Sequence, residues 1–222
     1  MERKNDFTQL SPVAIALLVV IVWLLQFLLN EAIESISPER NLLKISVILR
    51  LSITFLLPVI VFLKYYQLRP SESLGLNRPP WGKTTLAVVI GIVLIMAISI
   101  ILPQIIPPSR DLMQTSGSIT AYTNLPEFLL AFLTAVIVAS VADELFFRGI
   151  VLQYLLKRYG KILAIVLTAL LTALFHTLEP FKLVHAFLMG VIFASSVIWT
   201  RRVYTSIILH GLHNALALIP QG

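Results

Sequence analysis

Hydrophobic positions along this sequence fall in long unbroken runs. They show neither the alternation of a half-buried strand nor the narrow apolar stripe of a soluble helix. Seven runs are long enough to cross a bilayer, at about 10–29, 42–63, 84–106, 126–156, 162–178, 181–199 and 203–219. In lipid every backbone N–H and C=O must be satisfied internally, so runs of this kind predict helices. The expected fold class is all-α: a polytopic membrane bundle of about seven transmembrane helices. The run from Pro12 to Leu29 is too long for the apolar part of a signal peptide, and no small-residue cleavage site follows it, so it reads as a retained first span. The fifth and sixth runs are separated only by a tight turn, Glu179 to Phe181. Two polar stretches, 67–83 and 107–126, carry no ligand motif and read as connectors.

Composition supports this picture. Of 222 residues, 58% are hydrophobic and 13% charged, with a mean hydropathy of +0.90. Soluble domains lie nearer half apolar and a quarter charged. The protein has no cysteine, which excludes disulfides, thiolate nucleophiles and cysteine metal sites. The net charge of +6 does not imply a nucleic-acid partner, because the basic residues sit in short clusters between apolar runs. With the N-terminus in the cytoplasm, eleven loop cations fall inside: Arg3, Lys4, Lys64, Arg69, Arg78, Lys83, Lys157, Arg158, Lys161, Arg201 and Arg202. Four fall outside: Arg40, Lys44, Arg110 and Lys182. That bias predicts an N-in, C-out topology. Arg50 and Arg148 lie within spans and do not enter the count.

Chemistry enters with the few polar residues inside the runs. The stretch VADELFFRG places Asp143, Glu144 and Arg148 directly after an uncharged segment. Each such charge at the centre of a membrane helix costs about 2.5–3.5 kcal/mol unless it is paired or faces water, so intramembrane ionisable residues are functional candidates by default. Rising 1.5 Å per residue from the nearest cytoplasmic cation, Glu144 lies about 20 Å deep, His176 about 22 Å, His210 about 12 Å and Asn214 about 18 Å. Three separate helices thus bring polar groups to overlapping depths. Glu144 and Arg148 are i and i+4 and share a face, as do His210 and Asn214. Asp143 is rotated about 100° from that pair and has no partner on its own helix. His213 points off the His210 face, and His185 lies just past the tight turn near the outer surface. A carboxylate and a histidine can hold and deprotonate a water, while a second histidine and an amide can donate to a developing oxyanion. Two histidines and a carboxylate could equally hold zinc with an open position. HExxH, GxSG and GxGD signatures are absent.

Taken in order, DELFFRG at 143–149, His176 in LLTALFHTLEP and HGLHN at 210–214 are similar to the three motifs of the CAAX-protease and bacteriocin-processing (CPBP, or Abi) family of intramembrane endopeptidases, which includes the Ras-converting enzyme. The resemblance covers about 126–219. It implies a catalytic core at 126–222 with a conical active-site cavity between the last four helices, preceded by N-terminal helices and loops at 1–125, all in one membrane domain. It further implies Asp143 and His176 as the water-activating pair, His210 and Asn214 as the oxyanion site, and Glu144 with supporting Arg148 as further members of the site. No cofactor is expected, with zinc as the alternative. The expected substrate is a membrane protein or lipidated peptide, and the expected location is a prokaryotic plasma membrane. A catalytically silent adaptor or immunity-type protein on the same scaffold is the second functional reading. Two positions depart from the family pattern. Asp143 stands where the family has Glu, one methylene shorter, and Thr172 stands where a Phe is expected, with Phe175 beside the histidine.

Overall fold

The computed structural model describes residues 7, 10–36, 40–109, 122–176 and 178–219, with backbone alone for 33–36 and 40. The described residues form helices and connecting turns without a strand. In sequence order the helices are α1 (Pro12–Ile36), α2 (Arg40–Leu51), α3 (Leu57–Tyr65), α4 (Pro70–Ser73), α5 (Trp81–Ile105), α6 (Leu125–Phe132), α7 (Ser140–Glu144), α8 (Leu152–Tyr159), α9 (Lys161–His176), α10 (Pro180–Thr200) and α11 (Val203–Leu216). Segments of π-helix join α2 to α3 (Ser52–Leu56), α6 to α7 (Leu133–Ala139) and α7 to α8 (Leu145–Val151). The last two make 125–159 one continuous but irregular rod.

Every predicted run contains a helix, but the count of membrane-crossing helices differs from the expected seven. Among the described residues five helices are long and apolar enough to cross: Pro12–Ala32, Asn41–Tyr65, Trp81–Ile105, Leu125–Tyr159 and Pro180–Thr200. The protein is an integral membrane protein on this basis. Helix α9 has 16 residues and α11 has 14, so they rise about 24 and 21 Å, against about 30 Å of hydrocarbon. Hydropathy runs on through polar turns that the backbone uses to stop. Helix α9 ends at His176, and Glu179 caps α10 by accepting the Lys182 backbone N–H at 2.8 Å.

Apolar side chains face both outward and inward. Val13, Leu17, Val93 and Ile100 are among many exposed large hydrophobics, as a lipid-facing surface requires. Inward, Phe55, Phe146, Phe147 and Phe175 form an aromatic cluster with ring centroids 4.9–6.3 Å apart. It ties the π turn after α2 to the π turn after α7 and to the end of α9. At the crossing of α9 on α10 the backbones approach closely: a Cβ on Gly190 would come within 2.8 Å of the Ala169 Cα.

The stretch 67–83 is more than a connector. Leu74 is buried, and its side chain lies against Gly149, directly beneath the polar segment of the fourth crossing helix. Gly75, with φ +69, turns the backbone so that its carbonyl accepts the Val203 N–H at 3.3 Å. This pins the loop to the start of α11. Of the second polar stretch, residues 110–121 lie outside the described residues.

Candidate active site

The two carboxylates sit at the centre of the irregular rod, on the single regular turn α7 between two π segments. A π-helix shifts the hydrogen-bond register and leaves carbonyls available to other donors, which is why such segments recur at functional sites. Both neighbours here are used that way. The Ala135 carbonyl accepts Asn214 Nδ2 at 2.7 Å, and the Arg148 carbonyl accepts Gln153 Nε2 at 3.2 Å.

Glu144 is fully buried and organises one half of the cluster. Its Oε1 accepts Arg148 Nη1 at 3.1 Å and His210 Nδ1 at 3.1 Å. The guanidinium is also fully sequestered, donates Nη2 to the Gly190 carbonyl at 3.3 Å, and lies 5.4 Å from the Phe193 ring centroid. Glu144 thus ties its own helix to α11, and Arg148 ties it to α10. The His210 ring stacks on Phe193, with centroids 5.2 Å apart. A carboxylate can only accept, so His210 carries a proton on Nδ1 and presents Nε2 to the cavity.

Asp143 and His176 form the other half. Asp143 Oδ2 stands 3.7 Å from His176 Nε2. The His176 Nδ1 lies 2.8 Å from the Thr172 carbonyl, one turn back on α9. That carbonyl cannot donate, so a ring proton sits on Nδ1, and in the neutral ring the Nε2 lone pair faces Asp143. The result is two acceptors opposed across a gap too long for a direct hydrogen bond. A water beside the gap, about 2.8 Å from each acceptor, can donate to both and bridge them. Position 172 needs only a backbone carbonyl for this purpose. Phe175, beside the histidine, joins the aromatic cluster.

All six candidates meet around connected space. A cavity of about 420 Å³ is lined by Asp143, His176, His210 and Asn214. A smaller one of about 120 Å³ adds Glu144 and Arg148 to those four. The larger cavity departs from the expected position between the last four helices. Gln26 and Asn30 of α1, and Val47 and Arg50 of α2, form one wall. Sequence reasoning gave none of these a role, although an arginine inside a span and an i, i+4 amide pair were visible signals. His185 and His213, which looked peripheral, also line the smaller cavity, with ring centroids 5.3 Å apart. Among the described residues no three His, Asp or Glu side chains are arranged to hold a metal ion.

Residues 125–216 match the family model described as type II CAAX prenyl endopeptidase Rce1-like. Through this segment the chain is similar to the Rce1-like CAAX protease family. The matched segment runs from the start of α6 to the end of α11 and contains every candidate residue of the predicted site. No curated protein and no solved structure matches the sequence.

Proposed function

We propose that this Rce1-like protein is an intramembrane endopeptidase that hydrolyses membrane-associated substrates with a water held by Asp143 and His176. The observation that carries the reading is the pair of facing acceptors 3.7 Å apart at a cavity wall. A water there donates one proton to each acceptor. As its oxygen attacks the peptide carbonyl, one of the two takes its proton. The carbonyl oxygen becomes an oxyanion opposite Asn214 and His210. Asn214 donates Nδ2 to the Ala135 carbonyl at 2.7 Å and, over a long 3.5 Å contact, to Ser140 Oγ, and the oxyanion takes the place of that weaker second partner. His210 gives a hydrogen from Nε2 when its ring is doubly protonated, with Nδ1 remaining on Glu144. Collapse breaks the C–N bond, and the proton taken from water passes to the leaving amine. Glu144 and Arg148 hold the His210 ring and α10 in place and do not exchange protons with substrate.

In this reading 126–222 is the catalytic core, and 1–125 closes the cavity and anchors the protein. The N-terminus is cytoplasmic, the membrane is a prokaryotic plasma membrane, and hydrolysis needs no metal. The family description points to prenylated CAAX peptides as the first substrates to try. The experiment uses protein reconstituted in liposomes with a farnesylated CAAX peptide and, separately, an unprenylated transmembrane peptide. Wild type should cleave at least one, and His176→Ala and Asp143→Asn should cleave neither while remaining folded. A folded wild type that cleaves neither, or a His176→Ala variant as active as wild type, would overturn the proposal.

A further inference from the structure

The lining of the larger cavity includes a cation that the mechanism above leaves unused. Arg50 projects from α2, its Nη1 is buried, and among the described residues that nitrogen has no hydrogen-bond partner. Gln26, from α1, lines the same cavity and has a buried, equally unpartnered Oε1. Asn30 follows one turn later on the same helix and also lines the space. Asp143 lines the same cavity and attracts Arg50 electrostatically, but it leaves that Nη1 without a hydrogen bond. A guanidinium in a membrane span is retained where a partner or water meets it. Here the described residues supply the space for a partner but no acceptor for that nitrogen.

We propose that Arg50, assisted by Gln26 and Asn30, is a specificity site that binds a carboxylate of the substrate. This rests on the protease reading above and adds a substrate class to it. A guanidinium presents paired N–H donors that match the two oxygens of a carboxylate. Rotating the Gln26 amide exchanges its unpartnered oxygen for an NH2 donor on the same side. The two charges give the cavity a direction. Asp143 repels an anionic group and Arg50 attracts it, so a peptide enters with its carboxylate toward α2 and a peptide carbonyl toward Asp143 and His176. The volume of about 420 Å³ lies in the range of small-ligand pockets, enough for a short segment and not for a folded domain. Both sources of a carboxylate, the C-terminus of a peptide and an acidic residue within it, share this chemistry.

The test measures binding as well as turnover. Fluorescently labelled apolar hexapeptides are prepared in three forms: a free C-terminal acid, a C-terminal amide, and the amide with glutamate as last residue. Detergent-solubilised full-length protein is titrated with each, as wild type, Arg50→Gln and Arg50→Lys. Wild type should bind the acid about tenfold or more tighter than the plain amide, the size expected of a desolvated charge-assisted pair. In Arg50→Gln that ratio should fall to about one, and Arg50→Lys should keep part of it, because it keeps the charge without the paired donors. Tight binding of the glutamate-bearing amide would identify the glutamate carboxylate as sufficient. Its loss would assign the site to a C-terminus. Equal wild-type affinity for all three peptides overturns the proposal, whether or not Arg50→Gln folds. So does an acid-to-amide ratio that survives in a folded Arg50→Gln. Acid-selective binding without any cleavage would retain this site and remove the protease reading, and cleavage without acid preference would do the reverse.

Discussion

The substitution that best separates the two carboxylates is Glu144→Gln. Glu144 is fully buried, and one oxygen serves two donors at 3.1 Å, the Arg148 guanidinium and the His210 ring. Glutamine keeps the size and one acceptor oxygen but removes the charge. Hydrogen bonds to a charged group contribute about 1.5–3 kcal/mol each and neutral ones about 0.5–1.5, so converting two such bonds costs on the order of 2 kcal/mol. Arg148 is then left buried without a counter-charge. Breaking a buried ion pair by removing one partner costs about 3–5 kcal/mol, and the retained acceptor places the expected loss near the lower end, about 3 kcal/mol. At about 2–4 °C per kcal/mol for a protein of this size, the midpoint of thermal unfolding in detergent should fall by about 6–12 °C. Asp143→Asn should behave in the opposite manner. Asp143 lines the cavity and attracts Arg50 and Arg148 electrostatically but is hydrogen-bonded to neither, so its loss should lower the midpoint by less than Glu144→Gln does, by about 2 °C. The same substitution should abolish cleavage. The assay pairs a thermal-shift scan in detergent with cleavage of the liposome substrate for both variants, each measured below its own midpoint. A Glu144→Gln variant as stable as wild type but inactive, beside an active Asp143→Asn, would refute the assignment and make Glu144 the base.

Asp143→Glu should retain or raise activity, since it restores the longer acid that the family pattern has at this position, and a loss of more than about a hundredfold would show that the shorter acid sets the geometry. Gly190→Ala should lower the unfolding midpoint, because the new Cβ meets the Ala169 backbone at 2.8 Å and α9 cannot yield as a side group would; overpacking of this kind costs about 1–3 kcal/mol, and an unchanged midpoint would mean that the two helices can separate at little cost. A membrane-permeant chelator should leave cleavage unchanged, and loss that is restored by added zinc would establish metal dependence. A C-terminal reporter that is active only in the cytoplasm should be silent, and a positive signal would reverse the N-in, C-out topology.

Whatever depends on local spacing was legible in the amino-acid order. Run length in lipid dictates helices. The i, i+4 rule joins Glu144 to Arg148 from their positions alone, and the bond is there at 3.1 Å. Depth counted along each helix brings Asp143, Glu144, His176, His210 and Asn214 to one level, and the cavities do gather them. Which group meets which was settled by packing between helices. Residues 66 apart in sequence make the Glu144–His210 bond, and no periodicity encodes it. A membrane helix is apolar toward lipid and toward its neighbours alike, so no amphipathic stripe marks the inward face. For that reason the side of the bundle to which Gln26, Asn30 and Arg50 turn could not be read, although the residues themselves were visible within their spans. Helix ends were hidden in the same way: hydropathy averages across a turn, whereas a cap such as Glu179 stops the backbone at a single residue. The gap between Asp143 and His176 depends on how α9 packs against the irregular rod, where Phe175 meets Phe146 and Phe147, a contact that only the folded protein resolves.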